Sequence, residues 1–464
     1  MNRLGIYVQV PFCQTRCTYC NFHTGVVAKE RFAPYVEAVC REIRGHRELL
    51  RAAGVNWGSA EWRVASGQNE EASHLADTVY FGGGTPSLLE PVQLQKILDT
   101  IREVFGAKGS TSIQAQGGFS TSRTQREEAQ RAGRGGTDEE KSRKALRSRP
   151  SETGPGSSND GGSAIMGEAG SAEFEEVTLE ADPETVEEEK AAAWGKGGIG
   201  RVSFGVQSFS DRELAAAGRM HRRADIYRAV PILQAADIRN ISFDLIAGLP
   251  HQTRDSWKQS LEELIVLGPE HVSVYLLEVD EGSRLGKELL AGGTRYNAAA
   301  VPSEDEMAGF YEMAQEALGA AGYRHYEISN WAKPGFESKH NLKYWGREPY
   351  LGFGAGAHSF SGKQRWANAH DAVTYMNAME SGRLPAEQLE TVTAEQALEE
   401  ELFLGLRKLE GIDVGKIERE YGVTVRGRFE PLAAAGLVER MGDVVRLAER
   451  KLSVSNEVFV ELMR

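Results

Sequence analysis

The stretch Gly5–Gly25, GIYVQVPFCQTRCTYCNFHTG, decides how the chain is read, because an apolar strand runs straight into a loop carrying Cys13, Cys17 and Cys20. These are three of the four cysteines among 464 residues. Four thiols are too few to staple a scaffold of this length, and in a reducing compartment clustered thiols serve as ligands more often than as bridges. Three soft thiolates on one short loop leave a tetrahedral zinc site one ligand short. They match three irons of a [4Fe-4S] cluster and leave the fourth iron open to an outside chelator. Cys40 lies alone in the helical pattern YVEAVCREIRGHRELL and reads as a small core residue.

Composition narrows the class further. The chain is 41% hydrophobic and 8% aromatic, which suits a globular protein with a sizeable core, and no apolar run approaches the ~20 residues of a membrane span. Leu4–Val10 opens directly into the strand without a secretion signal, so a cytoplasmic setting is expected. Sixty-seven acidic against fifty-four basic residues give a formal charge of −13, which argues against general binding to nucleic acid.

Beyond the first strand, apolar runs alternate with amphipathic stretches in the manner of βα units. Strands are expected at 4–10, 77–83, 176–181, 201–207, 240–248 and 271–279. Helical patterns fall at 31–53, 90–105, 183–194, 211–217, 222–236 and 254–267. The fold class is therefore α/β, a partial (βα)6 barrel, with a doubly wound sheet as the alternative. Two insertions interrupt the rhythm. Residues 54–75 read as a loop, and 107–172 are so poor in large apolar side chains that they cannot offset their ordering entropy. After residue 365 the rhythm stops, and 366–464 read as a small winged-helix-like α+β domain whose hairpin, LVERMGDVVRL, turns at Gly-Asp. With no basic recognition face, that domain is expected to pack or to cover a substrate rather than to read DNA.

Further motifs occur in a definite order: GGGTPS at 82–87, LEADP at 179–183, RVSFGVQSF at 201–209, GRMHRR at 218–223, FDLIAGLPHQT at 243–253 and SKHNLKYWGREPYLGFGAGAHSF at 338–360. With the cysteine loop they resemble the radical S-adenosylmethionine (SAM) superfamily, in the branch that holds coproporphyrinogen-oxidase-like proteins and heme chaperones of the HemW type. The resemblance implies a [4Fe-4S] cluster on Cys13, Cys17 and Cys20 and a SAM site. Positions matching that site are Tyr7, Tyr19, Gly83, Gly84, Thr85, Glu180, Gln207, Arg219 and Asp244. Each has a plainer reading: the glycines as a tight connection, Glu180 and Asp244 as helix caps or loop charges, and Arg219 as a surface cation.

Within that branch two activities compete. The oxygen-independent oxidases decarboxylate propionate side chains through SAM-derived radical chemistry, and their loop bears a further cysteine two residues after the third. Here that position is Phe22, and only twelve residues precede Cys13. The chaperones carry His-Asn-x-x-Tyr-Trp, present as His340, Asn341, Tyr344 and Trp345. An imidazole can ligate heme iron and aromatic rings can stack on a macrocycle. The plainer alternative is a capped turn with Tyr344 and Trp345 packed between domains. His358 is a further heme candidate. The resemblance thus implies heme as ligand, heme-acceptor proteins as partners, and an electron donor of flavodoxin or ferredoxin type.

Overall fold

The computed structural model describes residues 4–22, 24–55, 76–106 and 174–463. The insertion readings, at 54–75 beyond Val55 and at 107–172, lie outside the described residues. All six expected strands form: β1 (Leu4–Val10), β2 (Ala76–Gly83), β3 (Glu176–Ala181), β4 (Arg201–Gln207), β5 (Asn240–Ala247) and β6 (His271–Leu276). They lie side by side in chain order and each adjacent pair is parallel. Parallel neighbours need crossover connections, which the helices Phe32–Ala52, Pro91–Phe105, Glu188–Gly197, Arg223–Ala235 and Arg254–Leu267 provide or join. Cys40 is fully buried in the first of these, as its helical setting predicts.

The strands have two unlike faces. Val202, Phe204 and Val206 of β4 and Ile241, Phe243 and Leu245 of β5 are all at most 2% exposed. Burying each such side chain contributes up to roughly 1.5–3 kcal/mol. The alternate residues, Arg201, Ser203 and Gln207, then Ser242 and Asp244, then His271 and Ser273, are polar and line an interior cavity. A period of two thus places an apolar wall and a polar wall back to back.

Six further strands enlarge the sheet: β7 (Arg324–Glu327), β8 (Asn330–Ala332), β9 (Tyr350–Phe353), β10 (His358–Phe360), β11 (Gln364–Asn368) and β12 (Ala386–Thr391). The strand order is β12-β11-β10-β9-β1-β2-β3-β4-β5-β6-β8-β7. β9 joins β1 in parallel, while β8 joins β6 antiparallel. Among the described residues the two outermost strands do not pair, so the barrel is partial. β11 and β12 carry the large sheet past residue 366, where the sequence places the second domain. β12, AEQLET, has no apolar alternation and is held by main-chain pairing to β11, which is why it does not read as a strand.

A second sheet, in the order β13-β15-β14, is built from β13 (Ile412–Asp413), β14 (Val438–Met441) and β15 (Val444–Leu447). With helices Ala394–Gly405, Val414–Tyr421 and Glu430–Ala434 the order is helix, strand, helix, helix, hairpin, which is that of a winged helix. Met441 pairs with Val444 around Gly442-Asp443, and Gly442 supplies the positive φ, +65°, that the tight turn needs. No helix among the described residues is long and apolar enough to cross a membrane.

Candidate functional site

In a parallel sheet all C-terminal strand ends gather on one rim. Here the cysteine loop follows β1, the glycine loop ends β2, Glu180 and Asp182 lie at the end of β3, and Gln207 ends β4. Cys13, Cys17 and Cys20 line one cavity of about 530 Å³ together with Tyr19, Gly83, Gly84, Thr85, Glu180, Gln207, Arg219 and Asp244. Of the positions the sequence assigns to the cluster and SAM, Tyr7 alone is off the cavity wall. Its ring stands 6.0 Å from that of Tyr80 and its hydroxyl donates to Gln9 Oε1 at 2.6 Å.

The loop is tied down on every side. Cys13 N–H donates to Gly25 O at 3.1 Å, and Gly25 N–H to Pro11 O at 2.9 Å, closing its base. Thr18 N–H reaches Ala217 O at 3.0 Å, Leu285 N–H reaches Thr18 O at 2.8 Å, and Asn21 Nδ2 donates to Asp280 at 3.0 Å. Gly84 N–H donates to Val10 O at 2.8 Å and Thr85 N–H to Phe12 O at 2.7 Å, welding the end of β2 to the root of the cysteine loop. A Cβ on Gly84 would stand 2.5 Å from Phe12 O, and Gly83, at φ +109°, would put one 2.4 Å from Gln9. Close backbone approach to the protein's own loop therefore explains Gly84, and positive φ explains Gly83, while both amides are already spent, Gly83 on Glu180 at 3.0 Å.

The charged groups interlock. Glu180 also accepts from Tyr80 OH at 2.9 Å, and burial pushes its carboxyl up to about 7. Asp244 accepts from Ser203 Oγ at 3.1 Å and is likewise pushed up by burial. Arg219 donates to Asp182, to Gly205 O at 2.9 Å and to Cys17 Sγ at 3.6 Å, while Asp182 also accepts from Thr85 Oγ1 at 3.1 Å. Gln207 takes φ +64° just after a register shift of β4 against β5, a strained bulge that re-aims its side chain. Its Oε1 and Arg219 Nε are buried without a partner among the described residues, and such orphans are costly unless a ligand meets them.

Burial pushes the thiols of Cys13 and Cys20 up. Among the described residues no three His, Cys, Asp or Glu side chains converge as a site for a single ion. The three thiols share one cavity wall, and three thiolates match three irons of a cubane cluster.

The heme candidates lie elsewhere. His340 is 1% exposed, with Nδ1 at 2.9 Å from Thr78 Oγ1 and Nε2 at 2.9 Å from Tyr344 OH, and burial lowers its pKa to about 3. Both ring nitrogens are thus engaged, and His340 is a buried tie between β2 and the helix Lys339–Trp345, capped by Ser338 Oγ. Trp345 packs under the Arg407 guanidinium, 4.4 Å from ring centre to Cζ, bridging the sheet to the C-terminal region. Tyr344 instead meets His340 and Tyr350, with ring centroids 5.1 and 4.7 Å away. His358 is exposed on β10. Tyr80, Asp182 and Ser203 also line the cavity, although the resemblance assigns them no role, and inward alternation along β2 and β4 is the signal that marks Tyr80 and Ser203.

Comparison with known proteins agrees with this architecture. The family described as "Radical SAM superfamily" matches residues 7–264, and "HemN C-terminal domain" matches 392–450. "Heme chaperone HemW" of Bacillus subtilis is 29% identical over 98% of this chain and 97% of its own length. That of Synechocystis is 31% identical over 88% and 78%, and that of Haemophilus influenzae 37% over 76% and 70%. The coproporphyrinogen III oxidase HemN of Escherichia coli superposes with a TM-score of 0.70 over 99% of this chain and 90% of its own, at 18% identity, a likeness of fold. On these matches the chain belongs to the radical SAM superfamily, in the coproporphyrinogen-oxidase-like branch that includes the HemW proteins.

Proposed function

We propose that this protein is a heme chaperone of the radical SAM family, which binds a [4Fe-4S] cluster, SAM and heme and passes heme to acceptor proteins in the cytoplasm. The observation that carries the reading is the end-to-end similarity to HemW proteins of a chain whose rim has three thiols and, two residues on, an exposed Phe22. The oxidases bear a cysteine at that position. Cys13, Cys17 and Cys20 would hold three irons, and the remaining iron would take the amino and carboxylate groups of SAM. When bound, the cluster supplies a single electron to the sulfonium, drawn from a flavodoxin- or ferredoxin-like donor.

The chain's own groups prepare that site. Glu180 is aimed by Gly83 N–H and Tyr80 OH toward the cavity, where it can accept from an ammonium group. Arg219, fixed by Asp182 and Gly205 O, keeps its cation beside Cys17 and offers an unpaired Nε. Gln207 Oε1 can accept from a ribose hydroxyl or an adenine amine. Leu452, Ser453, Ser455 and Asn456 line the cavity, which supports a covering role for the C-terminal domain.

Anaerobic reconstitution is expected to load about four irons and four sulfides per chain, and Cys17→Ala to abolish the cluster's visible absorbance. A colourless protein with one zinc would overturn the ligand assignment. Reduced protein incubated with SAM and coproporphyrinogen III is expected to give no protoporphyrinogen while a parallel titration binds heme. Turnover would establish the oxidase instead. His340→Ala is expected to lower stability, since both of its ring nitrogens are engaged.

A further inference from the structure

The cavity does not end at the rim. Arg201 opens β4 and Gln207 closes it, and both line the same space. Six strand steps separate them by roughly 20 Å. Arg407, Ser338, Asn341 and Ser455 line the same cavity, and Arg201 Nη1 donates to Phe336 O, two residues before Ser338, at 3.1 Å.

Two guanidiniums on that wall lack a counter-charge, Arg201 buried and Arg407 half-buried. Arg201 is 3% exposed, yet its hydrogen bonds are to neutral acceptors, Asn240 Oδ1 at 3.3 Å and Phe336 O at 3.1 Å, both from Nη1. Its Nε is buried and unpartnered. Arg407 lies over the Trp345 ring and its Nε is also buried without a partner. Neither guanidinium forms an ion pair with a described residue. Asp244 and Glu327 act on them only through space, and burial pushes both carboxyls up, Glu327 to about 7. Leaving a buried cation without a counter-charge is costly, and a planar guanidinium fork fits a carboxylate two atoms at a time.

We propose that this end of the cavity is a carboxylate subsite in which Arg201 and Arg407 receive the propionate groups of the tetrapyrrole. The assignment rests on the heme reading above and adds to it the part of the ligand that is recognised. Ser338 and Asn341, on the same wall, can donate to the outer carboxylate oxygens.

The test uses the full chain with its cluster reconstituted, titrated with hemin and with hemin dimethyl ester, whose propionates carry no charge. Hemin is expected to bind at least about tenfold more tightly than the ester, the scale of a lost charge-assisted contact. Arg407→Gln is expected to narrow that ratio, and Arg201→Lys, which keeps the charge but not the fork, to narrow it in part. Equal affinity for hemin and ester in the wild type would overturn the subsite while leaving the heme reading intact. A full ratio retained in Arg407→Gln would also overturn it. Binding of neither compound would overturn the heme reading, and the subsite with it. Should Arg201→Lys fail to fold, the ester comparison in the unaltered chain still decides.

Discussion

Gly84 has no room for a methyl group, because the atoms it would strike are main-chain oxygens of Val10 and Phe12 rather than movable side chains. Gly84→Ala is expected to cost roughly 1–3 kcal/mol, as overpacking does, and to lower iron loading with it. Urea unfolding and iron content measure the two, and unchanged loading would show that the glycine loop does not hold the cysteine loop in place. The motif was legible at this position, but its reason was not. A glycine-rich turn in a sequence announces close approach without saying what approaches. His340 carries the same lesson. The residue type suggests a ligand, whereas its partners Thr78 and Tyr344, one of them 262 residues away in the chain, make it a tie that local spacing cannot reveal.

At the scale of elements, Glu42 on the helix Phe32–Ala52 joins that helix to two others parts of the fold. It accepts from Gly354 N–H at 2.9 Å, Asn368 Nδ2 at 2.7 Å and Tyr375 OH at 2.6 Å. Burial pushes its carboxyl from 4.5 up to about 7. The folded state therefore holds this proton more tightly than the unfolded one, and the stability so contributed is full below about pH 4.5 and lost as pH rises through about 7. The change is on the order of 3 kcal/mol. Glu42→Gln is expected to flatten the fall of stability across that window in urea titrations at several pH values, and an unchanged slope would contradict the assignment. Strands β1 to β6 were legible because each is an apolar run set between amphipathic helices. β7 to β12 were not, since they are three to six residues long and owe their existence to pairing with distant strands.

In the whole molecule, Glu400 on the helix Ala394–Gly405 binds that helix to the large sheet. It pairs with Arg347 at 2.8 Å and Arg365 at 2.9 Å, with its side chain 18% exposed. Glu400→Ala removes the carboxylate from Arg347 and leaves Arg365 with Glu390 at 3.7 Å, and is expected to destabilise by roughly 1–3 kcal/mol, with protease sensitivity rising first after residue 392. Uniform sensitivity along the chain would argue against a local joint. We propose the second domain to begin beyond β12 rather than at 366, a boundary that composition alone misplaces because the last sheet strand is polar. The division of labour across the sheet reaches further than either variant. Hydrocarbon holds β4 and β5 to the helices from one side, while the polar residues one step along face the cavity. Change in one wall is thereby insulated from the other, so a lineage built on this scaffold can re-letter its inner positions for a new guest molecule while packing keeps the outer positions as they are.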